Sequence, residues 1–210
     1  MVEKYLLKNP EIIIEALDTY KRRQQEAEKN AIQRALIEQK SLLSFDPNSP
    51  VGGNLTGDVT IVEFFDYRCG VCKNIHQIVK DLVKNDGKLR RVYKEWPILG
   101  PDSSFAAKAA LASRSQGKYI LFHNALMEFR GPLSPQKILL IAANIGLNVE
   151  RLRIDMNNSK ITEIIQKNFT MAKSLQINGT PSFVIGTTIV RGARDLDTLK
   201  RIVNQTRKAK

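Results

Sequence analysis

Cys69-Gly70-Val71-Cys72 follows directly on the apolar run Val59-Thr60-Ile61-Val62-Glu63-Phe64-Phe65-Asp66, and no other junction constrains the fold of this chain as strongly. Residues 59–66 have the Val, Ile and Phe content of a strand buried on both faces. Residues 69–84 then carry Val71, Ile75, Ile78, Val79, Leu82 and Val83 at helical spacing, which predicts a helix with Cys69 in its first turn. A strand that empties into two cysteines spaced in this way at the start of a helix is the layout of a thiol–disulfide exchange site.

These are the only cysteines, so the chain can form one disulfide and no four-cysteine metal cluster. A permanent staple over so short a loop would restrict the unfolded chain little, because the stabilisation grows with loop length. A switching pair explains the spacing better. The attacking species in exchange is a thiolate, and unpaired N–H groups at a helix N-terminus favour one. Cys69 is therefore expected to be the exposed nucleophile, and Cys72, one turn inside the helix, the resolving partner. Gly70 and Val71 bring neither charge nor imidazole and are expected to line the client-binding surface. Cys69, Cys72, His76 and His123 would make up a Cys₂His₂ set, but no zinc-finger spacing supports it, and the histidines read as ordinary partly buried side chains. No cofactor and no metal is expected.

Glu63 is the odd residue of its strand. A buried carboxylate costs several kcal/mol unless neutralised or paired, so Glu63 is expected to hold a proton and shuttle it to or from Cys72, the alternative being an edge position that faces water. Thr180-Pro181 alone marks a turn, since most X–Pro bonds are trans, but followed by the apolar Phe183-Val184-Ile185 in a chain with CxxC it gains weight: a cis proline there would open a strand beside Cys69 and leave backbone groups free for an extended client.

Residues 1–43 read almost entirely as helix, with Asn9 as N-cap and Pro10 in the first turn. Ile13, Leu17, Tyr20, Gln24, Ala27 and Ala31 form a weak heptad seam that drifts to Ile32, Leu36 and Leu43. So narrow a stripe has to dock on the rest of the chain or meet a copy of itself, and self-association is favoured. Residues 44–57 are dense in turn formers and read as a mobile linker. Domain 58–208 then continues as α/β, with a second strand at 91–98. A helical insertion at about 102–175 has helices near 104–115, 119–129, 134–144, 148–156 and 161–175. A hairpin about Gly186 and a closing helix at 195–206 follow.

With 210 residues and 42% hydrophobic content the chain can bury a core. Its longest apolar stretch is far below the roughly 18–20 residues that span a bilayer, and residues 1–9 lack a signal peptide's apolar segment. The chain is expected to be soluble, and if it is exported its leader has been removed and Met1 is a substituted start. The net charge of +12 is scattered along the sequence as on solvated helix faces, and no nucleic-acid motif accompanies it.

Three segments in this order, Phe64-Phe65-Asp66-Tyr67-Arg68-Cys69-Gly70-Val71-Cys72, Glu95 to Ser103 and Gly179-Thr180-Pro181-Ser182-Phe183, resemble the bacterial DsbA-like thiol–disulfide oxidoreductases over about residues 55–205. The resemblance implies a thioredoxin fold interrupted by a helical domain and a periplasmic location. It places Glu63 at the family's buried-acid position and Pro181 at its cis-proline position. Tyr5-Leu6-Leu7-Lys8-Asn9-Pro10-Glu11 before a long helix is similar to the N-terminal extension of the ScsC-related subgroup, in which it joins protomers into dimers or trimers with isomerase activity. The implied function is disulfide isomerisation of exported, cysteine-containing clients, with a membrane redox partner of DsbB or DsbD type. The alternatives are a dithiol oxidase and a copper- or zinc-binding module without catalysis. Gly70-Val71 stands where the DsbA prototype has Pro-His, a departure that bears on oxidising power.

Overall fold

The computed structural model describes residues 2–209, so Met1, the first residue of the expected stalk, lies outside the described residues. The chain has the expected architecture, a thioredoxin-fold sheet with a helical insertion and a long N-terminal helix. Strands β1 (Val51–Gly53), β2 (Val59–Phe65), β3 (Leu89–Glu95), β4 (Ser182–Ile185) and β5 (Thr188–Arg191) form one sheet in the order β1-β3-β2-β4-β5. β2 runs parallel to β3 and antiparallel to β4, so it is central. Its whole length but Thr60 is buried, as a doubly covered strand requires.

Period-two alternation assigns the two faces. Val59 and Ile61 pack with Leu89, Phe183 and Ile185 under helices α4 (Gly70–Asp86) and α10 (Leu196–Lys208), through Ile75, Val79 and Leu82 of the first and Leu199, Ile202 and Val203 of the second. Val62, Phe64, Val92, Trp96 and Val184 face the other way. Helices α5 (Pro101–Ala112), α6 (Tyr119–Glu128), α7 (Pro135–Asn144), α8 (Val149–Met156) and α9 (Ser159–Ser174) make the insertion, and its alanine-rich core reaches Phe65, Tyr67 and both cysteines. β3 stops at Glu95, short of the expected 98. Pro97 has no N–H to give a strand, and the next two amides are taken by Asp66.

The N-terminal region departs from the expectation in three ways. It is broken into α1 (Val2–Lys8), α2 (Glu11–Glu38) and α3 (Lys40–Phe45). Asn9 does not cap α2: its Nδ2 donates to the Tyr5 carbonyl and closes α1, while Pro10, already helical, stands at the cap position. The boundary at residue 43 also falls inside the core, because Leu36 and Leu43 pack against Val62, Phe64 and Val184 and cover the open face of the sheet. Residues 44–57 are consequently no loose linker. Val51–Gly53 pairs antiparallel with β3, Arg90 donates to the Ser44 carbonyl, and buried Lys94 donates to the Leu42 carbonyl (2.9 Å) and Ser49 Oγ (2.8 Å). Turn-forming residues marked the segment correctly as irregular, but its Ser44 carbonyl receives Arg90, and its Ser49 and Asp46 side chains help the Leu42 carbonyl to satisfy Lys94.

By contrast Ile13, Leu17 and Tyr20, the first half of the seam, are 46%, 52% and 61% exposed. Removing residues 1–27 is expected to leave the thermal unfolding temperature of the remaining domain unchanged. Leu43→Ala should cost about 2–5 kcal/mol in urea unfolding, the usual range for a truncated core leucine. Equal stability of Leu43→Ala and wild type would show that this face of the sheet needs no cover.

Candidate functional site

Cys69 is the N-cap of α4 rather than a residue of its first turn. Its φ/ψ of −73°/109° is extended, and its Sγ accepts from the Cys72 backbone N–H at 3.2 Å. Sulfur thus takes the place that a serine or aspartate oxygen fills at an ordinary helix start. The nucleophile expected to be exposed is only 7% accessible, because the 179–181 loop packs over it and brings the Thr180 carbonyl to 3.4 Å from Sγ. Gly70 and Val71 do face solvent, Val71 at 48%. The Thr180–Pro181 peptide is cis, and β4 begins directly after it. Cys72 is fully buried, and both thiols are free.

The two sulfurs are driven apart electrostatically. Cys69 is lowered to about 6, first by a hydrogen bond from the Cys72 thiol, then, against the opposing cost of burial, by Thr180 and the backbone N–H groups of Cys72 and Val71. Cys72 is pushed far up, chiefly by burial and then because its thiol, as donor, holds its proton in a hydrogen bond to Cys69. The sequence pointed to the helix N-terminus as the source of thiolate stabilisation. The amides contribute, but the partner thiol is the larger cause.

Glu63 sits mid-strand in β2, 1% exposed and on the same face as Ile61, which removes the edge alternative. Its carboxylate is neither lone nor solvated. Arg91, which pairs with Ile61 on β3 and so lies diagonally across from Glu63, donates to Oε2 from Nε (3.0 Å) and Nη2 (2.6 Å). The expectation of an unneutralised acid beside Cys72 therefore meets a buried ion pair, the arrangement that makes a buried charge tolerable.

Several groups that the sequence reading passed over surround the cysteines. Asp66 is 1% exposed and accepts from Arg68 N (2.7 Å), Ile98 N (2.8 Å), Leu99 N (3.0 Å) and Ser103 Oγ (2.8 Å), while its backbone carbonyl accepts from Cys69 N (3.1 Å). An aspartate directly after a strand and before CxxC was the available signal. Glu95 Oε1 accepts from the hydroxyls of Tyr67 (2.8 Å) and Tyr119 (2.7 Å), Oε2 has no hydrogen-bond partner among the described residues, and burial pushes this acid up to about 8. Lys73 Nζ donates to the Leu126 and Phe129 carbonyls and ties α4 to the insertion.

The histidines, expected to be partly buried, are buried almost completely. His123 lies within an aromatic cage of Phe65, Tyr67, Tyr93 and Tyr119, with His76 5.2 Å away between ring centroids. Burial holds both below the usual imidazole range, His76 at about 4. No group of three or more His, Cys, Asp or Glu among the described residues is arranged to hold a metal ion. No described helix is long and apolar enough to cross a membrane.

A family model described as Thioredoxin matches residues 46–205, and one described as the N-terminal domain of copper resistance protein ScsC matches residues 1–27. A thioredoxin-like oxidoreductase from Silicibacter pomeroyi is 46% identical, with 81% of this chain and 98% of that chain covered at a TM-score of 0.80. The thiol-disulfide exchange protein alpha-DsbA2 from Wolbachia pipientis is 34% identical, covering 85% and 97% at 0.79. A linker-deletion mutant of Proteus mirabilis ScsC is 26% identical and covers 100% of this chain and 92% of its own at 0.81. Among curated sequences, the Na(+)/H(+) antiporter NhaA 1 of Salinispora arenicola is 26% identical over 165 residues, 77% of this chain. The chain spans about a quarter of the length of that relative. Strand order, the cysteine pair at a helix start and these likenesses converge: the chain belongs to the thioredoxin family, among the DsbA-like and ScsC-related thiol–disulfide oxidoreductases.

Proposed function

We propose that this protein is a disulfide isomerase of exported proteins that works as a periplasmic homo-oligomer. In this reading Cys69 attacks a wrong client disulfide, and Cys72 resolves the mixed disulfide when the client fails to rearrange. Gly70, Val71, Thr180 and Pro181 form the strip on which an extended client lies, and Glu63, held by Arg91, steadies the strand beneath α4. The arm runs to about residue 31, and the catalytic unit begins where the helix starts to bury side chains. The observation that carries the isomerase reading is the apolar seam of Ile13, Leu17 and Tyr20, left in water on a helix that one chain cannot cover. Joining arms through that seam sets several reactive thiols around one scrambled client and raises their effective concentration. The oxidase alternative differs in direction: a DsbD-type membrane partner would keep the pair reduced, a DsbB-type partner oxidised.

Removing residues 1–27 is expected to give a monomer by light scattering that still reduces a small disulfide but refolds scrambled ribonuclease poorly. Full isomerase activity of that monomer would refute the role given to the arm, and a mostly oxidised Cys69–Cys72 pair in cells would favour the oxidase.

The thiol itself is testable. Alkylation of reduced Cys69 should have its midpoint near pH 6, and Cys72→Ala, which removes the main donor, should move that midpoint up. Because Cys69 is lowered in the folded protein, its ionisation stabilises the reduced fold above the ordinary thiol value of 9.0, and that contribution is lost as pH falls toward about 6. The reduced wild type should therefore gain on Cys69→Ser in thermal melts as pH rises across this window. A constant difference would contradict it.

A further inference from the structure

Cys72 poses a problem that the ion pair at Glu63 does not solve. To attack the Cys69–client disulfide it has to release a proton from a fully buried thiol, and Glu63 is occupied by Arg91. Four residues further along α4, on the same face, stands His76. Helical side chains lean toward the N-terminus, so a side chain at i+4 is carried toward the turn that holds residue i, here Cys72. His76 is 2% exposed, yet neither of its ring nitrogens has a hydrogen-bond partner among the described residues. An unpartnered buried imidazole is costly unless the site uses it. Nε2 lies 4.0 Å from Glu128 Oε1, and Glu128 is half-exposed and also held by Lys80 at 2.9 Å.

We propose that His76 and Glu128 form the proton route between Cys72 and solvent. The proposal rests on Cys69 and Cys72 being the exchanging pair. In the resolving step the Cys72 S–H proton is relayed through one water to Nδ1 of His76, which makes no direct hydrogen bond to the thiol, as the proton on Nε2 is relayed to Glu128 and on to water. The Cys72 thiolate attacks Cys69 Sγ, the Cys69–Cys72 bond forms, the client–Cys69 bond breaks, and the client departs as a thiolate. When a client thiolate opens the enzyme disulfide the same route runs inward, protonating Cys72 and restoring the first tautomer. The ring never has to become a stable cation, which suits its surroundings. It is faced by Lys80 on its own helix, His123 and Glu128 on α6, Arg91 on β3 and Arg130 beyond α6, and burial already holds it neutral.

The test is a stopped-flow reaction of the reduced full-length protein with an aromatic disulfide whose thiolate is coloured. Attack by Cys69 releases one equivalent and resolution by Cys72 a second. In His76→Phe, which keeps a ring and loses no hydrogen bond, the first phase should match wild type. The second should slow by about tenfold or more near neutral pH, in the range of lost acid–base assistance, and recover as hydroxide takes over at high pH. Glu128→Gln, on the surface, should slow the second phase by a smaller factor with the same recovery. An unchanged second phase in folded His76→Phe overturns the route, as does slowing by one factor at every pH, or a second phase slowed by Glu63→Gln alone. If His76→Phe does not fold, an unchanged second phase in Glu128→Gln overturns it. A wild type without any second phase, or a Cys72→Ser variant that keeps one, would instead refute the exchange reading itself.

Discussion

One buried carboxylate organises the catalytic end of this molecule. Asp66 gathers three backbone N–H groups, from the loop that enters α4 and the loop between β3 and α5, and the Ser103 hydroxyl from the first turn of α5. Four donors replace the water lost on burial, which is what makes a buried carboxyl group tolerable three residues before the reactive sulfur. Through its own carbonyl Asp66 also takes the Cys69 N–H. Cys69 can then stand as a cap, with Sγ toward the amides of its own helix and the thiol of Cys72. Without these bonds the two loops would have to satisfy their amides elsewhere, and the cap geometry would have nothing to set it.

β3 shows how the fold manages the charge that its core carries. Leu89–Glu95 is buried throughout although four of its side chains are ionisable. Alternation along the strand sorts them. Arg91 and Glu95 lie on the face toward α4 and α6, where Arg91 meets Glu63 and Glu95 meets two tyrosine hydroxyls. Arg90 and Lys94 lie on the other face and are met by carbonyls of the chain after α2. Each charge has a designated partner from a different part of the chain, so the strand locks the insertion, the central strand and the N-terminal region together. A buried pair of this kind adds little net stability over an apolar one, and its effect is to fix which segments meet.

The N-terminal helices serve two roles along one continuous segment. Toward its end Leu36 and Leu43 complete the core on the open face of the sheet. Toward its beginning the apolar residues remain in water. The catalytic domain therefore does not end where the sheet begins, and the arm is anchored by packing and by the bonds to Lys94, not hinged on a free linker.

Much of this was legible in the residues. The buried strand leading into CxxC, the helix spacing after it, the Thr180-Pro181 signal before an apolar strand and the helices of the insertion are local patterns, set by backbone preference and by the period of apolar side chains. The pairings were not legible. Nothing in Leu89-Arg90-Arg91-Val92-Tyr93-Lys94-Glu95 announces a fully buried strand, since its ionisable groups are tolerable only with partners 24 to 52 positions away. Glu63 was recognised as buried, but its guanidinium partner was not, and His76 and His123 passed as ordinary. The sequence by itself determined the chemistry available, two sulfurs at a helix start on a thioredoxin-like frame. Only the tertiary structure decided which sulfur keeps its proton, which acid is already paired and which buried imidazole, four residues along the helix from the resolving thiol, stands without a partner among the described residues, because desolvation and charge pairing depend on neighbours brought together in space.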